Sequence, residues 1–423
     1  MSDSRRPVRP ASPGGVMVAA VVALMLALLA AAVAVAGPGR VSADPGVTPT
    51  SILLGGTTPL TGPAAAYASV ARGANAYLQY VNARGGVFGR KITYKYLDDA
   101  YNPANTVQQT RQLVEQDHVF AIFNSLGTEQ NLAIRDYLNA MKVPQLFAAT
   151  GDTSFGADAA TYPYAIAFQP SYQAEGFLLG KYLARARPSA RIAVLAQNDS
   201  YGRDLLLGLK RGLAGGKAKV IAAQNYEVTA SDVQSQVAKL KSSGANTFAI
   251  FATPQFAIQA YVYADRLGWR PFVVNNAVSS ASNIMVLASE GGKNRDVIGT
   301  VSVVFLKDPT DPKWKADAAI KLYRQIMARY AKGADVGDVY HVYGMAVAYT
   351  LVEALKKAGK NLTRDGLVKA VGDLDIENNP FVLPGIAIKT GPTDHFPLNQ
   401  VYLQQWTKSG WKQFGGLLTY KGQ

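Results

Sequence analysis

Four short segments concentrate the polar residues whose types and positions could do chemistry. They are Asn124-Ser125-Leu126-Gly127-Thr128, Ala149-Thr150-Gly151-Asp152-Thr153-Ser154, Asn198-Asp199-Ser200-Tyr201-Gly202 and Ala252-Thr253-Pro254-Gln255. Each follows an apolar run, and most open onto a helical pattern. Hydroxyls, unpaired backbone N–H groups and the positive end of a helix dipole can together hold a carboxylate. Capping a helix accounts for any one of these residues equally well. Several such loops at strand ends favour a binding cleft.

Reactive groups are scarce by comparison. The histidines are His118, His341 and His395, and none has a second histidine or a carboxylate at metal-ligand spacing. Asp98-Asp99 precedes Asn102-Pro103 at a strand end, where capping the next helix is the plainer role. The chain has no Gly-x-Ser-x-Gly elbow, no phosphate loop ending in Gly-Lys-Ser/Thr and no Gly-x-Gly-x-x-Gly after its first strand. Its cysteine count is 0, so a disulfide, a thiolate nucleophile, a cysteine-based metal site and a lipid-modified cysteine are all excluded. No enzyme, cofactor or metal site is expected.

The elements that position these loops alternate in type. Strands are predicted over Ser51–Thr57, Lys91–Leu97, Val119–Asn124 and Val143–Ala149. Between them, apolar residues at Val70, Ala74, Tyr77, Leu78 and Val81, a stretch opened by Asn102-Pro103 and running to Gln116, and Thr128–Lys142 read as helices. A second series follows, with strands Arg191–Gln197, Ala218–Tyr226, Thr247–Ala252 and Pro271–Asn275 among helices Tyr172–Ala186, Gly202–Leu213, Val233–Ser243 and Ala257–Leu267. Thr300–Phe305, the helices Ala316–Tyr330, Val339–Lys357 and Arg364–Val371, and a strand-rich tail with Trp406 and Trp411 complete the chain. Repeated βα units imply an α/β fold with two doubly wound parallel sheets side by side, their strand tips facing a shared cleft.

Residues 1–43 read as a secretory signal. Arg5, Arg6 and Arg9 precede an uncharged run over Val16–Ala36, and Val41-Ser42-Ala43 offers small residues at a cleavage site before Asp44. The run is long enough to span a bilayer, so an uncleaved anchor over 16–36 is the alternative. The formal net charge of +14 falls to about +11 without this segment, which holds four arginines and one aspartate. The remaining basic residues are scattered singly, which is a solvated surface and not a nucleic-acid face.

Beyond Ser51 the chain resembles the leucine/isoleucine/valine-binding family, the type I periplasmic binding proteins that serve branched-chain amino-acid ABC transporters. The resemblance rests on Thr58-Pro59-Leu60-Thr61-Gly62-Pro63, Val81-Asn82-Ala83-Arg84-Gly85-Gly86-Val87-Phe88-Gly89-Arg90, Leu97-Asp98-Asp99-Ala100-Tyr101-Asn102-Pro103 and Asn198-Asp199-Ser200-Tyr201-Gly202, in this order. It implies two lobes joined by three crossings, near Gln169–Ser171, Val297–Gly299 and Leu398, which close like a hinge. Lobe 1 would comprise 50–169 and 300–397, and lobe 2 would comprise 170–299 and 398–423. It also implies an exported monomer, periplasmic or at the cell surface, that gives a small ligand to an ABC transporter permease. A membrane-anchored ligand sensor on the same fold is the alternative.

Carried over by resemblance, the aromatic wall falls at Tyr67, the carboxylate clamp at Gly127, Thr128, Gly151 and Thr153, and a cleft tyrosine at Tyr201. Two positions depart from the pattern. A further tyrosine is replaced by Thr253, and the acid that neutralises a ligand ammonium falls at Ala277. Burying an ammonium without a counter-charge costs several kcal/mol. Either Asp152 supplies that charge from the other lobe, or the ligand has no α-ammonium. The second is the expectation, with Asn275 or Asn276 filling the place of the acid and an aromatic or other organic acid as the ligand; a branched-chain amino acid is the ligand class under the first.

Overall fold

A computed structural model describes residues 1–2, 5–8 and 44–420. The chain divides into two units, Met1–Ala43 and Asp44–Gln423. Almost all of the first unit, including the expected signal or anchor, lies outside the described residues. Among the described residues no helix is long and apolar enough to cross a membrane.

In the first half of the second unit the order is β1 (Ser51–Thr58), α1 (Ala68–Asn82), β2 (Lys91–Asp98), α2 (Pro103–Arg111), β3 (Ala121–Phe123), α3 (Thr128–Ala140), β4 (Gln145–Ala148), α4 (Ser154–Ala157) and β5 (Ala165–Ala167). These strands form one parallel sheet, in the order β2-β1-β3-β4-β5. The helix expected to run to Gln116 does so, but its last turn, Gln112–Gln116, is π-helical. Asn102 starts it by accepting from the N–H of Ala104, with Pro103 in the first turn where no amide hydrogen is missed.

The chain continues with α5 (Tyr172–Ala186), β6 (Arg191–Gln197), α6 (Ser200–Leu213), β7 (Lys219–Tyr226), α7 (Gln234–Ser242), β8 (Thr247–Phe251), α8 (Pro254–Arg266), β9 (Phe272–Asn275), α9 (Ser282–Ala288) and β10 (Val301–Val304). Then come α10 (Ala318–Tyr330), α11 (Val339–Ala358), α12 (Arg364–Val371), the short pair β11 (Asp375–Ile376) and β12 (Ile388–Lys389), and the hairpin β13 (Gln400–Thr407) and β14 (Gly410–Thr419). The second sheet runs β14-β13-β10-β9-β8-β6-β7. It is parallel except at β13 and β14.

Strand alternation divides the core of the second sheet. Ile192 and Val194 face Leu179, Leu183, Leu205 and Leu209 of α5 and α6. Ala193 and Leu195 face the opposite layer, with Val237, Leu240, Phe256 and Ala260. Strands buried on both faces read as unbroken apolar runs, which is why β6 and β8 are plain in the sequence. Glycines bring helices close in both sheets' layers. A Cβ on Gly73 of α1 would lie 2.2 Å from the His341 carbonyl oxygen of α11, and one on Gly176 of α5 would lie 2.2 Å from that of Leu205 in α6.

β10 pairs with β9 and β13, so Val301–Val304 belongs to the second sheet and supplies the edge onto which the C-terminal hairpin is built.

Candidate functional site

In both sheets the site falls where strand order reverses. In the first sheet this is between β1 and β3, and in the second between β6 and β8. Chains leaving neighbouring parallel strands in opposite directions leave a gap at the carboxyl ends, and ligands bind there. A cavity between the two sets of strand tips holds about 800 Å³ of empty space, its mouth included. Its concave, largely apolar lining with a few fixed polar groups suits a small organic molecule.

From the first sheet's side, the loop after β3 carries Leu126, Gly127 and Thr128 into the cavity wall. Gly127 has φ +112°, and a Cβ there would lie 2.1 Å from Gln130 Oε1, so only glycine fits. Gly127 also stands at the N-cap of α3 without a side chain to satisfy the helix's first N–H groups. Those donors and the dipole favour a carboxylate. Thr128 Oγ1 is 2.8 Å from Thr150 Oγ1, a bond that aims the hydroxyl. Tyr101, in the left-handed region at φ +59°, is braced by Gln130 Nε2 donating to its carbonyl at 2.8 Å.

Aromatic rings make most of the remaining wall. Tyr67 and Tyr340 meet edge to face at 5.1 Å, and both hydroxyls donate to the Val278 carbonyl, at 3.0 and 2.7 Å. Tyr172 packs edge to face on Tyr201 at 4.8 Å. The hydroxyls of Tyr201 and Tyr343 are buried without a hydrogen-bond partner among the described residues. Val70, Val303, Phe305 and Leu306 add apolar surface.

One carboxylic acid lines this wall. Glu175, in the first turn of α5, is 3% exposed and accepts a hydrogen bond from the Ala277 N–H at 2.6 Å. Burial pushes its pKa up to about 8, which that single hydrogen bond only partly offsets. No lysine, arginine or histidine is among the lining residues.

Of the residues expected from the sequence, Tyr67, Gly127, Thr128, Tyr201 and Thr253 line the cavity. Gly151, Asp152, Thr153, Asn275 and Asn276 do not. The Gly151 carbonyl accepts from the Tyr172 N–H at 2.7 Å. Asp152 caps the turn of α4 by accepting from the Ser154 N–H at 3.0 Å and from its hydroxyl. Asn275 and Asn276 both accept from the Ser279 hydroxyl, at 2.9 and 3.0 Å, which shapes the loop after β9. Neither the acid nor the amides proposed for the ligand's amino end therefore reach the wall.

Tyr101, Tyr172, Tyr340, Tyr343 and Glu175 were not foreseen. Tyr340 and Tyr343 have helical spacing in an apolar helix and read as core, and Glu175 reads as an acid complementing a helix N-terminus. The aspartate pair serves the fold. Asp98 accepts from the N–H groups of Leu60, Thr61 and Ala100, and Asp99 from the Tyr101 N–H and the Thr106 hydroxyl. His341 is buried in α11, and His395 pairs with the Ala165 carbonyl at 3.0 Å.

The two halves also touch at the cavity's edge. Glu129 of α3 accepts from the Ser200 N–H at 2.9 Å, and Asp204 of α6 accepts from the Thr153 N–H at 2.8 Å. With the two tyrosines on Val278, these bonds hold the halves together.

Comparisons with known proteins agree with this architecture. A periplasmic binding protein family model matches residues 51–411. Leu/Ile/Val-binding protein homolog 1 of Brucella abortus is 27% identical over 321 residues, covering 73% of this chain and 79% of that relative. Two solved structures share the fold. A branched chain amino acid ABC transporter from Thermus thermophilus with bound valine has a TM-score of 0.77 at 17% identity, covering 88% of this chain and 97% of that one. A fatty acid ABC transporter substrate-binding protein from Thermomonospora curvata has a TM-score of 0.75 at 23% identity, covering 91% and 96%. With two doubly wound lobes, a cleft at their strand tips and a family match over most of its length, the chain belongs to the periplasmic binding protein family.

Proposed function

We propose that this protein binds a small carboxylate-bearing ligand in the interlobe cavity outside the cytoplasm and delivers it to an ABC-transporter permease. The observation that carries this reading is the uncapped N-terminus of α3 at Gly127 and Thr128, which opens into a ring-lined cavity that holds no basic side chain. A helix N-terminus with a fixed hydroxyl binds a carboxylate without needing a basic residue. The rings of Tyr67, Tyr201 and Tyr340 bury the ligand's apolar part. The relatives are named for Leu/Ile/Val, valine and fatty acid, all carboxylates with apolar bodies.

Lobe 1 would comprise 50–169 with the chain from 305 to 397, and lobe 2 the remainder. Secretion would remove residues 1–43, and the exported chain would act as a monomer. Closure would be a population shift, stabilised by a ligand that touches both lobes.

A thermal-shift screen of the secreted protein tests the reading, since a ligand that binds only the folded form raises the melting temperature. Apolar amino acids, benzoate and medium-chain fatty acids should include a compound that raises it, while the matching amides and alcohols should not. A cavity that responds to no carboxylate, or equally to acid and amide, would overturn it.

A further inference from the structure

A second cavity adjoins the first on the side of the C-terminal hairpin. It holds about 380 Å³ of empty space, its mouth included. Ala277, Val303, Phe305, Leu306 and Val339 line both cavities, and all five side chains are apolar. The backbone of this partition is pinned. Val303 pairs with Leu403 of β13, Leu306 bridges to Val382, and the Phe305 carbonyl accepts from the Leu383 N–H at 2.8 Å. Rotating the side chains is enough to join the two spaces, and it breaks no hydrogen bond.

The far chamber has an apolar wall of its own, made by Ala281, Val304 and Trp411. The Trp411 indole N–H donates to the Ser280 carbonyl at 2.6 Å, so the one polar group of that ring is already satisfied. Asp308, the one charged residue of this lining among the described residues, accepts from the Ser282 and Thr310 hydroxyls. Val304 and Trp411 are half-buried, which places this end of the chamber at the protein surface.

We propose that the chamber is a tail subsite. The ligand's carboxylate lies at Gly127 and Thr128, its hydrocarbon body passes Phe305 and Val339, and its end rests against Val304 and Trp411. The inference rests on the carboxylate reading above and narrows it to one substrate class, elongated monocarboxylates with an unbranched apolar tail. A trap with a single sealed compartment limits ligand length, because a longer molecule props the lobes apart. Here the tail leaves by the rear while the lobes close on the head. β10, β13, β14 and the loop after β9 supply most of the chamber's lining, so it belongs to one sheet and persists when the lobes part.

Calorimetric titration with hexanoate, octanoate, decanoate and dodecanoate, each below its micelle concentration, reads the length dependence. In the wild type each added pair of carbons should tighten binding at least threefold through dodecanoate, under a ceiling of roughly fourfold per CH2 for full burial. Val304→Trp, which fills the chamber, should cut the ratio of dodecanoate to hexanoate affinity at least tenfold. A second measurement needs no change in β10. In the wild type 12-bromododecanoate should quench Trp411, seen as the quenching that Trp411→Phe removes, whereas 6-bromohexanoate should not. Affinity that levels off beyond octanoate, a ratio unchanged in V304W, or bromododecanoate that leaves Trp411 unquenched would overturn the tail subsite, while binding of the shorter acids would leave the carboxylate site standing. If no alkanoate binds but another carboxylate raises the melting temperature, this inference alone falls; if no carboxylate does, both fall.

Discussion

Replacing Glu175 by glutamine should make the empty protein more stable at neutral pH. The two side chains have nearly the same volume, and the glutamine carbonyl can still accept from the Ala277 N–H. What changes is titration. In the fold the acid is held protonated up to about pH 8, whereas in the unfolded chain it ionises near its ordinary value of 4.5. Between those values the folded form retains a proton that the unfolded form has lost, so wild-type stability falls as pH rises through that window. At 1.36 kcal/mol per unit, the penalty at pH 7 is about 3 kcal/mol and at pH 4.5 close to nothing. For a chain of this size, whose unfolding entropy is roughly 0.8 kcal/mol/K, that is a gain of about 4 °C in melting temperature. Differential scanning calorimetry of both proteins at pH 4.5, 6, 7 and 8, without ligand, reads it directly. The curves should meet at the acid end and separate steadily above it. A constant offset, or a less stable variant at pH 8, would refute the assignment of a buried neutral acid.

Thr128→Ala should weaken a carboxylate ligand by about 1–1.5 kcal/mol, near tenfold, the ordinary worth of such a hydrogen bond. Thr153→Ala, outside the cavity wall, should stay within twofold in the same titration. His341, whose pKa burial lowers to about 4, resists protonation in the fold, so its own contribution to stability should fall by about 3 kcal/mol as pH drops from 6.5 to 4, opposite in sign to that of Glu175. Denaturant melts of His341→Leu across that range should lose this component. Gly73→Ala forces a methyl toward the His341 backbone of α11, which cannot move aside, and should destabilise by about 1–3 kcal/mol, read as a shift in denaturation midpoint.

The alternation of buried strands and amphipathic helices was legible because parallel strands must be apolar on both faces, as in β6 and β8. The three-residue β5 was not, since Ala165–Ala167 is too short to show a period. The place of β10 in the second sheet was not either, for another reason. Its partner β13 lies a hundred residues later, and nothing local announces so distant a pairing. At the site, Thr128 and Tyr201 were legible because they open helices directly after strands. Tyr340 and Tyr343 were hidden in a helix that is apolar all round. Asn275 and Asn276 looked like ligand contacts, but Ser279, four and three residues on, holds both inside the loop.

The bonds from Glu129 to Ser200, from Asp204 to Thr153 and from two tyrosines to Val278 involve no ligand atom. Part of the grip is therefore owned by the protein, and these bonds favour closure whether or not the cavity is filled. If the protein delivers its load to a permease, as proposed above, closed empty copies would compete with filled ones for the same landing place. The strength of those few rim contacts then sets how much traffic is wasted, and a substitution at Glu129 or Asp204 could tune uptake without altering what is carried.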